Sequence, residues 1–126
     1  MNKQALLGKR QYFNMVHGVT LRLIGTFSDK DLDFSPKKGM RTVRDLILHM
    51  YGGEKAFVEG IKRGELTNEI MNQALPEAEE GKAVAATLKT VADCQKFADE
   101  CHRAADDALA ALTDQDLAGP LGSPWG

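Results

Sequence analysis

The sequence predicts an all-α protein, an up-down helical bundle in a single domain over residues 1–126. Three observations carry that expectation. Apolar residues recur at intervals of three and four in three long stretches, about residues 2–27, 42–63 and 84–112, the period of a helix that buries one face. Glycine, proline and aspartate gather between those stretches, where helices end. No segment alternates apolar and polar residues as a strand would, and none repeats another. A chain of 126 residues is of one-domain size. Three such helices hide their apolar faces against one another, as a bundle of antiparallel neighbours.

The first helix contains no proline, and Tyr12, Val16, Val19, Leu23 and Phe27 trace its expected buried face, flanked by Phe13, Thr20 and Ile24. Residues 28–41 form a loop through Pro36 and Gly39, with Leu32, Phe34 and Met40 expected to pin it to the bundle. The second helix starts at a capping box, Thr42 followed by Asp45, ahead of an apolar run. Val43, Leu46, Ile47, Met50, Phe57 and Ile61 give its core stripe, and Gly64 its stop. Gly52-Gly53 in its middle implies a close backbone approach, a kink or room for a neighbour. Residues 65–81 read as a long connection with a short helix near 68–75. The third helix carries a near-heptad seam of Leu88, Val91, Cys94, Ala98, Cys101, Ala105, Leu109 and Leu112, mostly small, which lets a neighbouring helix come close. The tail from Thr113 holds Gly119-Pro120, Gly122 and Pro124 and sustains no long helix.

Composition narrows the function classes. The formal net charge is -2, from 16 basic and 18 acidic residues, and Lys37, Lys38 and Arg41 lie beside Asp29, Asp31 and Asp33. No basic footprint for nucleic acid or cationic face for a membrane surface emerges. No apolar run approaches the ~20 residues of a membrane span, and residues 1–10 have no signal-peptide core. Cys94 and Cys101 are seven positions apart on one helix, about 10 Å at ~1.5 Å per residue, too far for a disulfide. Reduced thiols and a cytoplasmic location are the expectation.

Four polar positions on the apolar faces are candidates for chemistry. His49 lies at the edge of the second helix's stripe, with Gly52 and Gly53 leaving space beyond the imidazole. On its own it reads as a hydrogen-bonded structural histidine. Glu54 falls on the stripe itself, where a carboxylate costs several kcal/mol unless paired; it is either a general base or the partner of an arginine on another helix. His17 flanks the first helix's apolar face and reads as structural. His102 adjoins Cys101, but helix neighbours point about 100° apart and do not form a thiolate–imidazolium pair. Cys94 and Cys101 read as small core residues.

The segment from Phe27 to His49, with Asp31-Leu32-Asp33-Phe34-Ser35-Pro36 and Gly39-Met40-Arg41-Thr42-Val43 ahead of Leu46-Ile47-Leu48-His49, resembles the helix 1–helix 2 junction of the DinB/YfiT-like superfamily. The ending, Leu112-Thr113-Asp114-Gln115-Asp116-Leu117 through Pro124-Trp125-Gly126, is similar to that family's passage out of its third helix. The resemblance implies a DinB/YfiT-like four-helix bundle whose fourth helix lies beyond this sequence. It also implies a divalent metal, Zn or Ni, with His49 as the first ligand. The family's other two histidines sit one turn apart on helix 4, and this sequence contains no such pair. A useful catalytic site needs about three protein ligands and an open position, and one histidine does not supply it.

The implied function is that of a DinB-like protein related to thiol S-transferases, acting on a small-molecule thiol with an incomplete metal site. The alternatives are a non-catalytic helical binding or assembly module and a fragment without activity of its own. A three-helix layout also leaves an apolar groove. A continuing chain, residues 65–81 or a second copy would each cover it, and a homodimer is the expectation for this chain alone.

Overall fold

The computed structural model describes residues 2–120 and 122. Among them every regular element is helical: α1 (Lys3–Ile24), a 3-10 turn (Asp29–Asp33), α2 (Val43–Arg63), α3 (Asn68–Asn72), α4 (Glu79–Ala85), α5 (Val91–Ala111) and α6 (Asp114–Ala118). The Pro124-Trp125-Gly126 part of the tail motif lies outside the described residues.

Capping chemistry decides where these elements start. The 3-10 turn, α2, α5 and α6 each open with a hydroxyl residue followed at the third position by aspartate: Ser28/Asp31, Thr42/Asp45, Thr90/Asp93 and Thr113/Asp116. Each aspartate reaches back to the cap's backbone N–H, so two orphan donors are satisfied at once. These bonds to backbone N–H hold the Asp31, Asp93 and Asp116 carboxyls below their ordinary pKa. At the far end of α2, Gly64 turns left-handed at φ 80°, a conformation that glycine adopts without a Cβ penalty.

The expected third helix, 84–112, is broken. α4 ends at Ala85 and α5 begins at Val91, because local side-chain bonds outcompete the helical ladder between them. Thr87 Oγ1 donates to Val84 O, Arg44 Nε donates to Leu88 O at 2.6 Å, and the Lys89 and Thr90 N–H groups both donate to Asp93 Oδ2. Asp29 Oδ1 then accepts from Val91 N, tying the 3-10 turn to the start of α5.

α5 is the central element. α2 runs parallel to it: Arg44 reaches Leu88, Glu54 meets His102, and Val58 packs with Ala105 and Leu109. α1 runs antiparallel to it, from Gln95 at Leu21 to Asp106 at Arg10. The expectation of antiparallel neighbours therefore holds for α1 and α5 but not for α2 and α5. The long connection through α3 and α4 carries the chain back to the starting end of the bundle before α5 begins. The small seam of α5 is buried as expected, with Leu88, Cys94, Ala98, Cys101, Ala105, Leu109 and Leu112 all in the core. In α2, Gly52 lets the chain at Ala74 come close: a Cβ there would stand 3.2 Å from Ala74 Cα.

Two expected faces are corrected. Leu32 is fully buried, but Phe34 and Met40 project outward and anchor nothing. On α1, Tyr12, Val19 and Leu23 are 62%, 51% and 58% exposed, and the line turned to α5 is instead Leu6, Arg10, His17, Leu21 and Ile24. The cause is the geometry of the bundle: α1 and α2 both pack on α5 but scarcely meet each other. Nor does the 65–81 connection fill the space between them, since α3 packs on another side of α2 through Ala56, Leu66, Ile70 and Met71.

Thr90→Ala removes the hydroxyl that accepts from Asp93 N, and is expected to destabilise the domain by about 1 kcal/mol. In urea unfolding the midpoint should fall with the slope unchanged; an unchanged midpoint would show that the α4–α5 break does not depend on this cap.

Candidate functional site

The groove between α1 and α2 has α5 as its floor, and each wall follows from helical spacing. On α1 the inner line, Leu6, Arg10, His17, Leu21 and Ile24, steps in threes, fours and sevens, so Arg10 and His17 point the same way two turns apart. On α2, Tyr51, Glu54 and Val58 form the corresponding line. On α5, a second row at Gln95, Asp99, His102 and Asp106 runs beside the small seam and faces α1. Three helices thus bring their polar rows to one level, with apolar clusters above and below it.

Arg10 is the hub of this layer. Only 9% exposed, it donates to Glu54 Oε1 at 2.9 Å and to Asp106 Oδ1 at 2.7 Å, and its guanidinium lies 3.3 Å from His102 Nδ1. His102 Nδ1 is also 2.9 Å from Glu54 Oε1, and its Nε2 is 2.6 Å from the Asn14 amide. Glu54 Oε1 and Asn14 Oδ1 are both hydrogen-bond acceptors, so each faces a ring nitrogen as the accepting partner. His17 stacks on His102 with ring centroids 3.9 Å apart and planes 14° from parallel. Its Nδ1 accepts from Tyr51 OH at 2.8 Å, and its Nε2 donates to Asp99 Oδ1 at 3.3 Å. Burial pushes the Tyr51 phenol above its ordinary pKa, which keeps it protonated as the donor in this chain. The result is a carboxylate–imidazole–phenol line, Asp99–His17–Tyr51, at the base of an open groove. A fixed tautomer of this kind can orient a ligand's polar end and exchange a proton with it.

Above the polar layer the walls are apolar. Phe13 and Val16 stand on α1 and Met50 and Phe57 on α2. The groove encloses about 560 Å³, within the ~300–1,000 Å³ of small-molecule clefts.

The sequence-derived candidates separate on this frame. Glu54 is in the site, paired with an arginine of a neighbouring helix as one of its two readings proposed. His17 and His102 are in the site and are brought into contact, a juxtaposition that their positions on separate helices do not disclose. Cys101 points away into the core, as helix geometry required, and burial pushes its thiol up to about 11. Cys94 is buried too, its thiol raised for the same reason, and both cysteines are free. His49 is outside the groove: its Nδ1 lies 2.9 Å from Ala74 O, on the α3 side of α2. Among the described residues no three His, Cys, Asp or Glu side chains stand together as a metal-ligand set. Arg10, Asn14, Tyr51, Asp99 and Asp106 were not singled out from sequence. The signal for most of them was a polar row at helical spacing, Gln95, Asp99, His102, Asp106, adjacent to the small-residue seam.

Breaking one partner of a buried ion pair leaves an uncompensated charge. Glu54→Leu is therefore expected to cost about 3 kcal/mol, and Arg10→Met about as much. The double variant should be less destabilised than the sum of the two. Chemical unfolding of the four proteins measures the coupling; strict additivity would show that Arg10 and Glu54 act independently.

The family model of the DinB superfamily matches residues 12–126, and the chain belongs to that superfamily. No curated protein and no solved structure matches it.

Proposed function

We propose that this member of the DinB superfamily is a binding domain that takes a small amphipathic molecule in the groove between α1 and α2. One observation carries the reading: a polar layer from three helices converges at the base of a cleft with apolar walls, the combination that marks a ligand site. The ligand's apolar body would lie between Phe13, Val16, Met50 and Phe57, and its polar end would meet Tyr51, Glu54 and His17. A small-molecule thiol with an apolar body, the class the family resemblance suggests, fits this description. Both free cysteines are interior, which suits a reducing compartment such as the cytoplasm. No helix among the described residues is long and apolar enough to cross a membrane.

The probe 1-anilinonaphthalene-8-sulfonate tests the site directly. The folded protein should bind it saturably at one site per chain, and Phe57→Ala should weaken binding about tenfold, a loss of about 1.4 kcal/mol. Phe34→Ala, on an exposed residue away from the groove, should leave it unchanged. Absence of saturable binding, or equal effects of the two substitutions, would overturn the reading.

A second reading, a metal-dependent transfer to or from a small thiol, rests on His49. Donation from Nδ1 to Ala74 O leaves Nε2 as the lone pair for a cation, the usual arrangement for a ligating histidine. The described residues supply His49 with no companion ligands, so they do not fit a closed metal site, and no catalytic step is assigned to a metal. Elemental analysis of protein purified without an affinity tag should find well under one Zn or Ni per chain. One metal per chain, lost in His49→Ala, would instead establish the metal-dependent reading.

A further inference from the structure

We propose that two copies of this chain pair through the outer face of α1, in a two-fold antiparallel contact that roofs the groove. The observation is a second seam on α1. Lys9, Tyr12, Val16, Val19 and Leu23 follow one another at intervals of three, four, three and four, the spacing that keeps one stripe facing a partner helix. This seam is distinct from the inner line held to α5, and Tyr12, Val19 and Leu23 are each more than half exposed. Across the groove, Leu46, Met50 and Phe57 are also about half exposed and extend the same apolar surface. Monomeric proteins seldom leave so large a continuous patch in water.

A second copy suits this face better than an unrelated partner, because the seam complements itself. Rotation about an axis between Val16 and Val19 sets Val16 against the partner's Val19 and Tyr12 against the partner's Leu23. Lys9 then meets the partner's Thr26, and Arg22 meets the partner's Phe13. No like charges are opposed, and α1 contains no acidic residue. Such a contact is isologous and closes at two copies. Aromatic side chains offer roughly 150–250 Å² each when fully exposed, and aliphatic ones somewhat less. Seven partly exposed ones, Tyr12, Val16, Val19, Leu23, Leu46, Met50 and Phe57, therefore supply on the order of 600 Å² per chain, the same order as the ~800 Å² per partner of a stable interface. The pairing shares Val16, Met50 and Phe57 with the walls of the groove, but its readout is mass rather than ligand affinity.

Size-exclusion chromatography with light scattering on the 126-residue chain tests the pairing. The expected mass is twice the 13.8 kDa of one chain. Val19→Glu and Leu23→Glu, both on exposed positions, should return the single-chain mass with unchanged helical circular dichroism. Gln11→Glu, on another face of α1, should leave the pair intact. Should the glutamate variants unfold, the register supplies a second test: a mixture of Val16→Cys and Val19→Cys chains should oxidise to a cross-linked pair more readily than either alone. A single-chain mass for the parent protein at all concentrations overturns the proposal. So does a pair indifferent to Val19→Glu and Leu23→Glu, an open series of larger assemblies, or cross-linking without the 16–19 preference.

Discussion

The structure depends on one polar contact line, the seam between α1 and α5. Lys3 reaches the Ala110 carbonyl, Arg10 pairs with Asp106, His17 with Asp99, and Gln95 with the Leu21 carbonyl. These rungs recur along the full length of the two helices and hold α1 where apolar packing alone would not. Between Leu6 at one end and Leu21 and Ile24 at the other, the α1–α5 contact is largely polar. Ion pairs and hydrogen bonds are directional and expensive to leave unmade, so they set the register of α1 against α5 more sharply than a greasy interface would. Arg10 adds a third element by also holding Glu54, and through that carboxylate fixes the level of α2.

This arrangement explains the exposed surface. A helix tied to its neighbour by a polar line has no need of its apolar residues at that contact, and α1 keeps them on the other side. α2 is likewise occupied: Ile47, Leu48, Tyr51 and Val58 face α5, and Ala56 and Gly60 face the α3 connection. Its remaining stripe of Leu46, Met50 and Phe57 is left facing α1 across open space. The groove is therefore a product of how α1 and α2 are each committed to α5, and its polar base and apolar walls have one origin.

The sequence made much of this legible. The Thr42/Asp45 cap, the Gly64 stop, the buried small seam of α5 and the all-α class follow from local chemistry, which a single sequence records directly. What it concealed were facts about pairs of helices. The apolar arc of α1 covers so much of the helix that periodicity cannot say which part meets a neighbour: Tyr12, Val16, Val19 and Leu23 fit the helical period, yet the structure buries the side with Arg10. Spacing alone does not mark Arg10 as interior, and it gives the structural His17 no partner, until Asp106 and Asp99 are known to lie opposite. The break before α5 was present as Thr90-Val91-Ala92-Asp93, the same cap recognised at Thr42. Flanking apolar periodicity that ran through it without a change of phase masked the signal. The parallel sense of α2 and α5 was set by the long connection, whose course no periodicity describes.

The same division bears on function. A site whose polar groups are already bonded to one another, with no buried side-chain donor or acceptor left unmatched among the described residues, does not capture a ligand by satisfying orphan groups. It recognises one by exchange, in which a ligand's polar end replaces a contact such as Tyr51 OH to His17 while its body displaces water from the walls. Exchange of that kind adds little net hydrogen-bond energy, so affinity must come chiefly from apolar area and discrimination from the geometry of the layer. The polar line then has two tasks that pull in one direction. It holds α1 rigid enough for the groove to keep its width, and it presents groups whose alternatives are fixed. A substitution that loosened the Arg10 hub would change both together, which ties the stability of this bundle to the selectivity of its groove.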